Sequence, residues 1–318
     1  MELLSIVVPC YNEQETVALF YDATIKVLDT LDIRREIIYV NDGSKDNTLE
    51  ELKKLYKEHP EDVKVIDFSR NFGKEGGLLA GLEHAKGDYI VVMDADLQDP
   101  PSFLPQMLEM LREGDADIVG TRRVTRKGEP PIRSFFARAF YKVINYFTEV
   151  EIVDGARDFR MMRKQVVDSI LELQEYHRFS KGLFAWVGYK TIYLEYENVE
   201  RVAGETSWSF WKLFAYAIEG IVAFTTAPLQ LATVFGLMFS IVAFLALLFV
   251  VIRALLFGEP VAGWPSLVAI ILFLGGIQLL SLGIIGSYLA KTYMEVKNRP
   301  KYIVKKFYSQ EDTKCQKD

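Results

Sequence analysis

The chain has 318 residues, half of them hydrophobic, and a formal net charge of -6, which excludes a global nucleic-acid-binding footprint. That length allows one large domain or two smaller ones. Cys10 and Cys315 stand far apart with no metal-type spacing, so neither a disulfide framework nor a zinc site is implied, as fits a reducing compartment. The opening residues, MELLSIVVPCYNE, lack the basic start and long apolar core of a signal peptide and read as a strand entering the fold directly. The next segment places Val17, Phe20, Ile25 and Leu28 at helical spacing. REIIYVNDGS then reads as a second strand ending in a turn, and KDNTLEELKKLYKEH as a helix capped by Asp46 or Asn47. VKVIDFSRN is a third strand, KEGGLLAGLEHAKG a short helix closed by Gly87, and YIVVMDAD a fourth strand. PSFLPQMLEMLREG is a helix and ADIVGTRR a further strand. This alternation predicts an α/β fold with a mostly parallel, doubly wound sheet.

Such sheets bind ligands at the carboxyl ends of their strands. Polar clusters fall there: Tyr11–Glu13, Asn41–Ser44, Ser69–Lys74, Asp94–Gln98 and Thr121–Arg123. In the fourth cluster, Asp94 and Asp96 point the same way if the strand continues through them. Crowded carboxylates repel and lose hydration, and a hard divalent cation, Mg²⁺ or Mn²⁺, answers that problem. Gln98 adds a neutral oxygen. The competing reading makes these acids helix caps, and Asp99, before Pro100 and Pro101, is assigned that role.

Farther on, TRRVTRKGEPPIRSFFARAFYKVINYF combines basic residues with Phe136, Phe140, Ile144 and Phe147 at helical spacing, the pattern of a helix on a membrane surface or on the sheet. SWSFWKLFAYAIEGI, with Trp208 and Trp211, reads as a juxtamembrane helix. No charged residue occurs from Gly220 to Ile252 or from Val261 to Ala290. Each stretch is long enough to cross a hydrocarbon core of roughly 30 Å as a helix of about 20 residues. The rival reading, two buried core helices, is disfavoured because a soluble core rarely supplies two such runs in succession. The tail KTYMEVKNRPKYIVKKF is rich in Lys and Arg, which places it, and with a two-span hairpin the N-terminal domain too, in the cytoplasm. Trp264 falls where an interfacial anchor is expected. The expected organisation is a catalytic domain over 1–207, a juxtamembrane amphipathic helix over 208–226, two transmembrane helices within 227–290 and a basic cytoplasmic tail over 291–318.

Four motifs, SIVVPCYNE, VNDGSKDNT, DADLQDPP and RVAGETSW, together resemble family 2 glycosyltransferases of the GT-A fold. Within them the chain is similar to the polyprenyl-phosphate glycosyltransferases, the group of dolichyl-phosphate mannose synthase and bacterial undecaprenyl-phosphate sugar transferases. With the two-span hairpin the resemblance covers nearly the whole chain. It implies that Pro9, Tyr11, Glu13 and Asp42, with Val40 beside the base, hold the nucleoside. An aromatic face suits stacking and carboxylates accept from ribose hydroxyls, although Tyr11 also suits core packing. Asp96 and Gln98 are implied as metal contacts, with Asp94 bridging towards nucleotide or metal. Arg201 corresponds to the arginine of a loop over the donor; alone it would read as a surface charge. The family's lysine after the glycine of that motif is replaced here by Glu205-Thr206-Ser207, with Lys181 or Arg178 as substitutes. Arg122, Arg133 and Ser134 are implied at the acceptor phosphate, where arginine offers bidentate donors. In DGARDFR, Arg157 replaces a family glycine while Asp158, Phe159 and Arg160 match. Asp158 is implied as catalytic, either as a base or by orienting the acceptor or Arg160. No base is demanded, since a phosphate monoester is already anionic at neutral pH.

The implied activity is inverting, metal-dependent transfer of one sugar from a nucleotide sugar, UDP favoured, to undecaprenyl or polyprenyl phosphate at the inner membrane. The resemblance also implies a homo-oligomer, a tetramer. Two rivals are a processive polysaccharide synthase, which would add a Gln-x-x-Arg-Trp motif not found here, and an inactive membrane scaffold. A nicotinamide dehydrogenase is disfavoured because no Gly-x-Gly-x-x-Gly follows the first strand.

Overall fold

Short apolar runs closed by polar turns become the central strands. The computed structural model of the protein describes residues 2–123, 153, 155–196, 227–257 and 263–310. Strands β1 (Leu3–Cys10), β2 (Arg34–Asn41), β3 (Val63–Phe68) and β4 (Tyr89–Val92) alternate with helices α1 (Val17–Leu28), α2 (Thr48–Glu58) and α3 (Lys74–His84). β1 pairs in parallel with β2 and β4, and β2 in parallel with β3. Period-two alternation divides each strand between two cores. Ile6, Val8 and Tyr39 face Phe20 and Leu52 of α1 and α2, whereas Val7, Ile38 and Val40 meet Leu78 and Leu82 of α3. Burial on both faces is why these strands read as continuous apolar runs.

A 3₁₀ turn (Pro101–Phe103) and α4 (Leu104–Glu113) lead to β5 (Ile118–Arg123); then come β6 (Ala156–Arg163), α5 (Lys164–Glu172), α6 (Ser180–Trp186) and β7 (Thr191–Tyr196). A last strand, β8 (Val304–Tyr308), comes from the C-terminal segment. The sheet order is β7-β5-β6-β4-β1-β2-β3-β8. Only β6 and β8 run against the other described strands. The expected mostly parallel α/β sheet is present, and β6, β7 and β8 extend it beyond the elements read from periodicity.

Helix α3 lies unusually close to the sheet. A Cβ on Gly81 would stand 2.1 Å from Val7 Cγ1, and one on Gly77 3.3 Å from Pro9 Cβ. Gly87 does not close this helix as expected, because Ala85 is the cap. It lies instead against β1, where a Cβ would meet Ser5 Oγ at 2.6 Å and where its N–H donates to that oxygen at 2.8 Å.

The chain divides into two units, Met1–Lys212 with Arg299–Asp318, and Leu213–Asn298. The second holds helices α7 (Ala227–Phe257) and α8 (Trp264–Val296), which touch where the rings of Phe239 and Phe273 meet edge-on at 5.5 Å. Among the described residues one stretch, Phe273–Val296, is long and apolar enough to cross a membrane by length and composition. The segment expected as a tail from Lys291 is divided: helix to Val296, then part of the sheet unit from Arg299. There β8 pairs antiparallel with β3, Tyr302 stacks on Phe68 with ring centroids 5.0 Å apart, and its hydroxyl donates to Glu83. The segments containing Phe136, Phe140, Ile144, Phe147, Trp208 and Trp211 lie outside the described residues, as do Arg133, Ser134, Arg201 and Cys315.

Candidate active site

The loops after β1 and β2 are stitched together at the carboxyl edge of the sheet. Asn12, in the left-handed region at φ 57°, donates its N–H to Ser44 Oγ at 3.0 Å and accepts from the Lys45 N–H at 2.9 Å. The Glu13 N–H donates to Thr48 Oγ1 at 2.8 Å. Asp46 bonds the Thr48 N–H at 3.1 Å, so it, rather than Asn47, serves the start of α2. In VNDGS, Asp42 accepts from the N–H groups of Phe72 and Gly73 at 2.6 and 2.9 Å. Burial pushes its carboxyl up, against those two hydrogen bonds and Arg70. Gly43, at φ +60°, lets the backbone of Arg70 approach, since a Cβ there would lie 2.4 Å from the Arg70 carbonyl carbon. The loop after β2 thus grips residues 70–73 and aims the first residue of α3, Lys74.

Of the residues expected at the nucleoside, Tyr11 is 43% exposed, which removes the core-packing alternative. Pro9 is half-buried, and Glu13 accepts from Thr16 Oγ1 at 2.6 Å. The Val40 side chain is 0% exposed in the core beneath α3, so only its backbone is available to the nucleoside edge.

The DAD segment also differs from its reading. β4 ends at Val92 and Ala95–Asp96 lie in a turn, with Leu97 at φ 56°, so strand alternation does not orient the two acids. Asp96 is 8% exposed and accepts from the Gln98 N–H at 3.1 Å. Asp99 is not a helix cap. Its carboxylate is 1% exposed, 3.3 Å from Arg157 Nε, and accepts from the Tyr196 hydroxyl at 2.6 Å. Arg157, the residue standing where the family has glycine, also donates to Gln98 Oε1 at 3.1 Å.

Strand β6 completes the cluster. It runs antiparallel to β4 with Val92 opposite Arg160, so Asp158 lies just beyond that pairing, on the side where Asp94 follows β4. Lys74 Nζ bridges them, 2.7 Å from Asp94 Oδ1 and 2.6 Å from Asp158 Oδ2. A cation in the first turn opposes the helix dipole, and the two carboxylates offset that cost. Burial pushes the Asp158 carboxyl up, but Lys74, Lys181 and Arg160 outweigh it and hold the group well below the usual carboxylate range. Lys74 is shifted the other way, because Asp94 and Asp158 overcome its burial. Burial lowers the Lys181 ammonium despite Asp158. Arg160 lies 3.9 Å over the Phe184 ring and donates to the Arg157 carbonyl at 2.9 Å. Glu75, next to Lys74, accepts from Ser180 N–H at 3.1 Å and from its hydroxyl, tying α3 to α6.

Arg122, on β5, lies 3.7 Å from Glu195, and the structure brings it next to β6 at Ala156. A cavity of about 390 Å³, lined by Arg70, Gly73, Glu75, Arg178 and Lys301 among others, adjoins the α3 start. Asp94, Asp96 and Asp158 do not line it. Sequence reasoning placed Lys74 in an edge cluster without a role; its signal was position, at the end of the third strand. Tyr196 gave no signal, because it depends on a strand that was not anticipated.

Residues 5–171 match the family described as glycosyl transferase family 2. An uncharacterized glycosyltransferase of Synechocystis sp. is 44% identical over 301 residues, 95% of this chain and 94% of that protein. The SfII prophage-derived bactoprenol glucosyl transferase of Shigella flexneri is 42% identical over 303 residues, 95% of this chain and 97% of that protein. Among solved structures, mannosyl-3-phosphoglycerate synthase from Rubrobacter xylanophilus aligns at TM-score 0.48 and 17% identity, over 70% of this chain and 73% of that one. The mostly parallel α/β sheet, with its acids at the carboxyl edge, is a GT-A fold. The match over more than half of the chain and the near full-length relatives show that the chain belongs to glycosyl transferase family 2.

Proposed function

We propose that the chain transfers a single sugar from a nucleoside-diphosphate sugar, UDP in preference to GDP, to undecaprenyl or another polyprenyl phosphate. The observation that carries this reading is the likeness, across 95% of the chain, to a protein named a bactoprenol glucosyl transferase. A phosphate oxygen of the acceptor attacks the anomeric carbon, the bond to the diphosphate breaks, and its electron pair leaves on the departing phosphate oxygen, with inversion. No proton has to move, because the acceptor attacks as an anion. Asp158, held ionised by neighbouring cations, is assigned to positioning rather than to proton removal.

Asp94, Asp96 and Gln98 supply two carboxylates and an amide oxygen, an all-oxygen set that fits Mg²⁺ or Mn²⁺. The burial of Asp96 and the cations already placed on Asp94 and Gln98 mark a site built around charge neutralisation. When bound there, such an ion would stabilise the charge of the leaving diphosphate. Tyr11, Glu13, Asp42 and Pro9 are assigned to the nucleoside, and Arg122, Arg133 and Ser134 to the acceptor phosphate, with Arg201 over the donor. Helices α7 and α8 are assigned as a two-span hairpin in the inner membrane, with the catalytic domain and C-terminus in the cytoplasm and the enzyme a homo-oligomer. Transfer of radiolabelled sugar into a prenyl-phosphate lipid in membranes, with and without EDTA, tests the reading. A lipid product lost with EDTA and in Asp96→Asn is expected; a polymer, or no lipid product from any nucleotide sugar, would overturn it.

A further inference from the structure

The transfer reaction gathers phosphate anions where the chain already places Asp94, Asp96 and Asp158, so cations must be available there. Among the described residues four basic side chains, Lys74, Arg157, Arg160 and Lys181, surround the cluster, and their contacts rank them. Arg157 is committed to the buried Asp99 and to Gln98. Arg160 is 3% exposed, sits over Phe184 and donates to a backbone carbonyl. Lys181 has no hydrogen-bond partner among the described residues, and burial disfavours its charge. Lys74 is different: its side chain is 42% exposed, its charge is secured by two carboxylates, and its backbone is fixed by the grip of Asp42 on Phe72 and Gly73.

We propose that Lys74 is a phosphate-binding cation of the transfer site, held towards the reacting phosphates by Asp158 and released by Asp94 when substrate binds. The inference rests on the glycosyl-transfer reading above and adds a residue to it. The exchange is electrostatically balanced. Asp94 is a candidate for the divalent ion, so its tie to Lys74 is the replaceable one, and a phosphate oxygen takes its place on the ammonium. Asp158 keeps the second tie and is thereby a positioning residue. Neutral, same-length substitution at 158 would leave Lys74 free to swing out into solvent, because the side chain is long and half-exposed.

A phosphate on Lys74 has two sources, the donor diphosphate and the acceptor monophosphate. Calorimetric titration of the full-length protein in detergent with UDP, and separately with farnesyl phosphate, each with and without Mg²⁺, distinguishes them. Lys74→Met is expected to weaken one of the two ligands by about tenfold or more, the scale of one charge-assisted hydrogen bond, and Lys74→Arg to recover most of it. The ligand affected names the source. Asp158→Asn should weaken the same ligand, and the Lys74→Met/Asp158→Asn double variant should be no weaker than Lys74→Met alone. Lys74→Gln provides a second neutral variant, and thermal unfolding of each variant confirms that it is folded. Binding of both ligands within twofold of wild type in folded Lys74→Met and Lys74→Gln would overturn the proposal, as would wild-type protein that binds neither. Unchanged binding in Asp158→Asn with turnover lost would overturn the positioning role and return Asp158 to proton transfer. A parallel transfer assay on wild-type protein separates the two readings: absence of lipid product fails the function, while the UDP titrations still judge Lys74.

Discussion

Two carboxylates at the site make opposite demands on their surroundings. Asp158 is held below the ordinary carboxylate value of about 3.9 by Lys74, Lys181 and Arg160. Its ion pair therefore contributes fully above that value and is lost only as pH falls through the lower, folded one. Between pH 5 and 8 its charge is constant. Initial rates of wild type and Asp158→Asn should then follow the same pH profile in that window, the variant being slower throughout. A limb present in wild type and absent from Asp158→Asn would mean that Asp158 titrates during turnover. Asp99, by contrast, is pushed up by burial against Arg157 and Tyr196, and its Oδ2 has no hydrogen-bond partner among the described residues. Arg157→Ala leaves this carboxylate without its cation and should cost about 3 kcal/mol, visible as a lower unfolding temperature. Adding Asp99→Asn should restore part of that loss, because the buried group is then neutral.

Helix α3 shows how one element joins packing to chemistry. Its glycines are not helix breakers here; they let it settle on β1 so that its first residue reaches the acids at the sheet edge. Gly81→Ala would place a Cβ 2.1 Å from Val7 Cγ1, closer than any real contact. Overpacking of this kind costs about 1–3 kcal/mol. The expected outcome is lower thermal stability in Gly81→Ala, largely reversed by Val7→Ala, which removes the opposing methyl groups. Reduced affinity for whichever phosphate ligand depends on Lys74 should accompany the single variant, since a lifted α3 carries Lys74 with it. Full stability in Gly81→Ala would show that α3 and β1 move apart freely. Elements with a strong period, such as β1 to β4 and α1 to α4, are legible in the sequence. β6 and β7 are not, because ARDFRMMR mixes arginines into a strand whose charged residues are satisfied by partners far away along the chain.

Across the whole molecule, the sheet is built from both ends of the chain. Residues on either side of the second unit contribute to the first, and β8 covers the edge of β3. An uncovered edge invites pairing with other chains, and loss of Tyr302 and Phe307 also strips aromatic cover from Phe68 and His84. A chain ending at Asn298 keeps helix α8 yet loses β8. It should still fractionate with membranes but unfold at lower temperature and aggregate more readily than the full chain, as measured by light scattering in detergent. Equal stability of the two would mean that β8 is only an ornament on the sheet.

Strands β1 to β5, helices α1 to α4 and the polar clusters at the strands' carboxyl ends were determined by local pattern, since apolar period and turn residues act over a few positions. Family motifs likewise drew attention to these acids, because each motif is contiguous. Tertiary structure alone decided what those acids touch. Asp158 shares Lys74 with Asp94 because β6 enters the sheet backwards beside β4, and Lys74 reaches Asp158 across 84 residues of sequence. Asp99 looked like a helix cap beside two prolines and is instead the buried partner of Arg157. The side chain of Val40, expected beside the nucleoside, is packed into the core. The division follows from physics: secondary structure is set by neighbours along the chain, whereas the neutralisation of a buried charge is set by whichever group the sheet order brings alongside it.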